Sequence, residues 1–269
     1  MDDKFEIIRQ NWNERTPIHA ASSFYNVDGF KSGDITLTKT EIEEMGSVAG
    51  KSLLHLQCHF GMDTMSWARL GATATGVDIS DTAIDLAREL NNQLGLNTRF
   101  IRSNIYDLPD VLDEQFDIVY TAIGALCWLP DMTRWAQIVA RYMKPGGTFY
   151  ILDGHPVSHI FKYVELPDGG RGLKPCHSYF PKPEGIPHEG GGCTYTGSEV
   201  LETPSHEWQH SMSEIVNAII SAGLRIQHFN EFAVSGYRAF QPMSLHEDGW
   251  RLDEHHGSIP FLFSIKATK

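Results

Sequence analysis

A chain of 269 residues, 41% hydrophobic and 21% charged, has enough apolar material for a sizeable core without disulfide or metal staples. Its formal net charge of −12 repels phosphate backbones and anionic lipid, so a nucleic-acid partner is disfavoured, and no 18-residue apolar run offers a membrane span. Cys58, Cys127, Cys176 and Cys193 are scattered with no C-x-x-C pair, and the acidic start MDDKF resembles no signal peptide, so a reducing, cytoplasmic setting is expected.

Residues 3–16 place Phe5, Ile8 and Trp12 at helical spacing. After a loop with Gly29 and Gly33, Thr40 and Glu43 are spaced as a capping box, which predicts a short helix starting near Thr40. From Lys51 strands and helices alternate. SLLHLQ (52–57) reads as a buried strand, 62–70 as a helix stopped by Gly71, and TATGVDI (73–79) as a second strand. Ser80 or Asp81 caps a helix to about Asn92; strands follow at 97–103 and 116–123. Pro130 opens a helix ending near Tyr142, and a KPGG turn leads into a fifth strand, 148–153. Such alternation predicts a parallel sheet with helices on both faces.

Residues 154–208 break the pattern with many Gly, Pro, His and aromatic residues; a structureless loop of that length is improbable, so an inserted cap is expected. A helix at 213–224 and a strand at 225–232 restore regularity. A second irregular stretch, 233–258, precedes a closing strand at 260–269.

The chemistry concentrates in LLHLQCHFGMD (53–63), a strand running into a turn and a helix. Asp78 ends the second strand 17 residues after Gly61, where a carboxylate can accept both hydroxyls of a ribose. A dinucleotide needs the close backbone approach of G-x-G-x-x-G, but only Gly61 remains in this turn. S-adenosylmethionine, which has no phosphate, meets no such objection.

With GVDIS (76–80), SNIYDLP (103–109), FDIVYTAIGALCWLPD (116–131) and MKPGG (143–147) following in order, the stretch 50–153 resembles the class I S-adenosylmethionine-dependent methyltransferases, in a variant whose first motif reads LQCHFG. The resemblance implies a Rossmann-like seven-stranded sheet with an antiparallel last strand and helices on both faces. It also implies an N-terminal helical lid (1–49), a core (50–153 and 209–269) and a substrate cap (154–208). Gln57, Cys58, His59 and Gly61 would line the methionine and ribose side of the cofactor. Asp78 and Ser80 fall at the ribose end, Ile79 packs on the adenine, Asn104 and Ile105 meet its edge, and Thr121 and Ile123 lie beneath the reacting methyl. His55 stands where the motif usually has an acid, Gln57 and His59 where it has two of its three glycines, and Asn104 where the third motif usually has Asp.

The implied activity is methyl transfer to a small-molecule acceptor, with a homodimer left open. The rivals are a non-catalytic S-adenosylmethionine-binding protein, a nicotinamide oxidoreductase and a zinc hydrolase. The last rests on HEWQH (206–210), a zincin-like pattern that needs a helix to align its two imidazoles. Ser211 and Glu214 cap the next helix after it, so the pair falls in an extended lead-in and no metal site is expected. His155, directly after the fifth strand, is the candidate general base between cofactor and acceptor, with Tyr163 as an alternative.

Overall fold

The computed structural model describes residues 3–254 and 257–269, apart from 168 and 198. Three helices come first: α1 (Asp3–Ala21), α2 (Val27–Ser32) and α3 (Lys39–Met45). The alternating region gives β1 (Ser52–Leu56), α4 (Met62–Arg69), β2 (Thr73–Asp78), α5 (Asp81–Gln93), β3 (Arg99–Arg102), β4 (Phe116–Thr121), α6 (Met132–Tyr142) and β5 (Met143–Gly154). The first excursion holds two small hairpins, β6 (Phe161–Glu165) with β7 (Arg171–Pro175) and β8 (Ile186–His188) with β9 (Ser205–Glu207). Helix α7 (Met212–Ser221) and strand β10 (Arg225–Phe232) follow. The second excursion is a hairpin of β11 (Met243–His246) and β12 (Gly249–Leu252), and β13 (Leu262–Thr268) closes the sheet.

The sheet order is β10-β13-β5-β4-β1-β2-β3. Strands β1 to β5 pair in parallel, while β13 runs antiparallel to both β5 and β10, as the expected fold requires. β1 and β4 are buried along nearly their whole length because helices cover both faces. One core packs α6 and α7 against β4, β5 and β13, around Trp135, Phe149 and Phe263; a second, around Trp67, Tyr120 and Tyr150, lies on the opposite face.

Four local expectations change. Helix α1 continues past residue 16 through Pro17, because its last turns bury Thr16 and His19 against the rest of the protein. The capping box before α3 is Thr38 with Glu41, not Thr40 with Glu43, because the Glu41 carboxylate also accepts the buried Tyr120 hydroxyl. The KPGG turn is absorbed into β5, whose pairing with β4 shifts register between Phe116 and Ile118. The second excursion also shares a small core with the first: Leu173 packs against Met243, Leu252 and Phe261.

Candidate active site

The turn after β1 is built on left-handed backbone. Gln57 (φ 61°) and His59 (φ 51°) take conformations that usually belong to glycine, and Gly61 (φ 78°) completes the turn. At Gly61 a Cβ would also strike the Phe100 ring. Each left-handed non-glycine residue costs roughly 1–2 kcal/mol, so the turn must be held from outside. Gln57 Nε2 donates to the Ala125 carbonyl (2.9 Å), the Cys58 N–H to the Val77 carbonyl (2.9 Å), and the His59 N–H to Asp78 Oδ2 (2.8 Å).

Asp78 ends β2 and is buried; its Oδ1 accepts the Ser80 N–H (2.9 Å). A carboxylate has about four lone-pair sites, so each oxygen keeps one for a ligand hydroxyl. Burial pushes this carboxyl up to about 6, against the backbone N–H groups that favour its charged form. Ser80 N-caps α5 and donates its hydroxyl to Asn13 Oδ1 on α1 (2.6 Å), which ties α1 to the start of α5.

His55 sits within β1, its Nδ1 2.9 Å from Thr64 Oγ1; burial pushes the imidazole down to about 3 and keeps it neutral. Beside it, Gln57 Oε1 and Thr121 Oγ1 are buried without a partner among the described residues. Leu56 pairs with Thr121 across β1 and β4, so both orphaned oxygens lie at the carboxyl edge of neighbouring strands. Such atoms cost about 1–3 kcal/mol each unless something fills their bonds.

The other expected residues scatter. Cys58 is buried packing, its thiol pushed well up by burial. Ile79 packs with Ile8, Trp128 and Trp208 under the lid. Asn104 is at the end of β3, but its Oδ1 already accepts the Tyr106 N–H (3.0 Å), and Ile105 is sunk in the main core. Ile123 is 39% exposed and lines a cleft beyond β4 and β5.

Two proposed bases are not in that cleft. His155 turns towards β10: its Nδ1 accepts the Val157 N–H (3.2 Å), and its Nε2 stands 2.8 Å from Glu231 Oε1, off the line of a good hydrogen bond. Burial lowers its pKa, with Glu231 opposing. Tyr163, in β6, lies under the Arg171 guanidinium at 4.9 Å. The cleft, about 90 Å³, instead takes Asp153 and His159.

Sequence reasoning missed the contribution of α1. Arg15 is buried with its guanidinium 5.4 Å from both Trp12 and Trp128, its Nε donating to Asn11 Oδ1 (2.6 Å). Among the described residues no carboxylate forms an ion pair with it. Its position three after Trp12, on the same helical face, was the available signal. The Phe60 N–H donates to His59 Nδ1 (2.8 Å), which assigns the proton to Nε2, 3.1 Å from His19 Nδ1. His19 Nε2 then carries a proton and is buried without an acceptor. Burial and Arg15 push His19 down to about 4.

The HEWQH segment is not helical. His206 lies in β9 with Nε2 2.8 Å from the Glu184 carbonyl, while His210 sits between the Leu129 carbonyl (2.8 Å) and Glu214 (3.0 Å) just before the α7 cap at Ser211.

Known proteins converge on this region. Residues 54–151 match the family model described as a methyltransferase domain. A ubiquinone biosynthesis O-methyltransferase from Pseudomonas syringae pv. tomato is 27% identical over 168 residues, 60% of this chain; the chain covers 66% of that protein's length. The crystal structure of an S-adenosylmethionine-dependent methyltransferase from Mesorhizobium loti superposes with a TM-score of 0.57 at 19% identity, covering 86% of this chain and 96% of that one. The glycopeptide N-methyltransferase MtfA in complex with S-adenosyl-L-methionine gives 0.53 at 15% identity, covering 85% and 91%.

Proposed function

We propose that this chain, which carries a methyltransferase domain across residues 54–151, transfers the methyl group of S-adenosylmethionine to a small-molecule acceptor. The observation that carries the reading is the turn itself: Gln57 and His59 hold left-handed backbone at the two positions where the first methyltransferase motif has glycines. The geometry is kept although the residue type is lost.

Several groups around the turn support this reading. Asp78 retains lone pairs for two ribose hydroxyls. Ser80 stands beside it, and on this reading the exposed edge of Ile79 meets the adenine, while Asn104, bonded to the Tyr106 N–H, and Ile105, in the main core, support the end of β3 from behind. The buried, unpartnered Gln57 Oε1 suits an ammonium donor, and unpaired Arg15 suits the carboxylate of the same amino acid. On this reading the buried Thr121 hydroxyl and Ile123, which lines the cleft, lie on the side of the reacting methyl. When bound, S-adenosylmethionine supplies a sulfonium whose methyl carbon is open to an incoming lone pair. The chain supplies alignment and dryness: the Trp12, His19 and Tyr25 rings close over His59. Orientation of two bound reactants can contribute about 7–11 kcal/mol.

The net charge of −12 favours a small acceptor over a nucleic acid. Four free cysteines suit a reducing cytoplasm, and no described helix is long and apolar enough to cross a membrane. Calorimetry tests the reading. The protein should bind one equivalent of S-adenosylhomocysteine, and Asp78→Ala should weaken it at least tenfold, since two charge-assisted hydrogen bonds are worth about 1.5–3 kcal/mol each. Unchanged affinity in a folded Asp78→Ala protein would overturn the placement. A dinucleotide or an equivalent of zinc carried through purification would overturn the function.

A further inference from the structure

The cleft beyond β4 and β5 contains a titratable group to which the fold gives nothing else to do. His159 follows β5 by five residues, in the single helical turn Ser158–Ile160. Its ring is exposed into the cleft and has no hydrogen bond to any described residue. Every other histidine near the ligand edge is engaged: His55 by Thr64, His59 by Phe60 and His19, His155 by Val157 and Glu231. The backbone also makes room for this ring, since a Cβ on Gly154 would come within 3.2 Å of His159 Nε2.

Beside it, Asp153 is fixed by four backbone N–H groups, those of Gly124, Ala125, Leu126 and Gly154. These hold the carboxylate in place and favour its charged form, opposing the upward push of burial. The lining of the cleft includes the apolar and aromatic side chains of Ile123, Trp208, Tyr237 and Phe261.

On the methyltransferase reading above, we propose that His159 takes the proton from an acidic hydroxyl borne on a flat ring, a phenol or catechol, with Asp153 stabilising the imidazolium so formed. The O–H bond breaks and its proton moves to a free ring nitrogen. The oxygen lone pair forms the new bond to the methyl carbon as the old sulfur–carbon pair returns to sulfur, and the imidazolium later yields its proton to solvent. Burial lowers the His159 pKa, and Asp153 and Glu207 only partly oppose it. The apolar and aromatic lining suits a flat ring rather than an aliphatic alcohol, and a neutral amine needs no base, which leaves a ring hydroxyl.

The test uses the whole protein loaded with S-adenosylhomocysteine and 4-nitrocatechol as probe, because its phenolate absorbs in the visible. Wild type should bind the probe and show phenolate absorption at a lower pH than the free compound does. His159→Asn should lose that shift with S-adenosylhomocysteine affinity unchanged. Gly154→Ala, which crowds the ring without removing it, should reduce the shift. With catechol as acceptor, His159→Asn should lower turnover about 10²–10⁴-fold, and less with the more acidic nitrocatechol. Failure of wild type to bind the probe, or identical spectra in wild type and His159→Asn, would overturn the inference. Failure to bind S-adenosylhomocysteine would instead overturn the methyltransferase reading.

Discussion

Asp78 joins three separate demands in one carboxylate: it braces the His59 backbone, begins the α5 cap and retains lone pairs for a ligand. Its pKa, raised by burial to about 6, sets a pH dependence whose sign follows from the ligand. Ribose hydroxyls need the charged carboxylate as acceptor, so cofactor affinity should be full above about pH 6 and fall as pH drops through that value. Calorimetric titration of S-adenosylhomocysteine between pH 5 and 8 should show up to a tenfold loss per unit on the acid side, for one proton. In Asp78→Ala the limb should flatten. A parallel slope in both proteins would assign the proton to another group. The position of Asp78 was legible because a strand tip followed by a capped helix fixes where its side chain falls. The direction of His155 was not. Its side chain points at Glu231, 76 positions later in the chain, and nothing local to residues 153–157 encodes that partner. His159 escaped notice for the opposite reason: its significance lies in having no partner, and only the folded chain displays that.

At the level of elements, the alternating core was readable almost to the residue, because caps and strand ends carry their own chemistry. Ser80 and Ser211 both cap the helices they were expected to begin. The α3 cap slipped by two residues because its Glu is recruited from below. Glu41 is buried against Tyr120, and burial, with Asp63 nearby, pushes its carboxyl up to about 7 despite the Thr38 and Tyr120 hydrogen bonds. A carboxyl whose folded pKa is raised favours the protonated fold. That contribution is complete below the ordinary value of 4.5 and lost as pH rises through about 7. Thermal unfolding should therefore show stability declining from pH 5 to pH 8. Glu41→Gln, which keeps the shape of the protonated acid, should flatten that decline and melt higher than wild type at pH 8. An unchanged profile would show that Glu41 keeps an ordinary pKa.

Across the whole molecule, the two excursions from the sheet behave as one cap. Leu173 belongs to the first, Met243 and Leu252 to the second, and Phe261 leads back into β13. Composition marked both stretches as irregular but could not pair them, since each offers too few apolar residues to reveal a partner. Met243→Ala should cost about 2–5 kcal/mol as a large-to-small core change. Because the core is shared, hydrogen exchange should quicken in both hairpins, residues 161–175 as well as 243–252. Faster exchange confined to the second hairpin would separate the two.

The position of β13 has a consequence for the order in which the protein comes into being. It lies between β5 and β10, bonded to both, yet it is made after either of them. Until residues 262–268 have been synthesised, β10 has no neighbour in the sheet and β5 presents a bare edge. The Phe261 backbone, which bonds to His155 on one side and Phe232 on the other, is equally late. The parallel half with its Asp78 turn can form first from contacts closer in sequence. The cleft lined by Phe261 and Leu262 must wait for the last stretch, so a nascent chain completes the turn after β1 before that cleft exists.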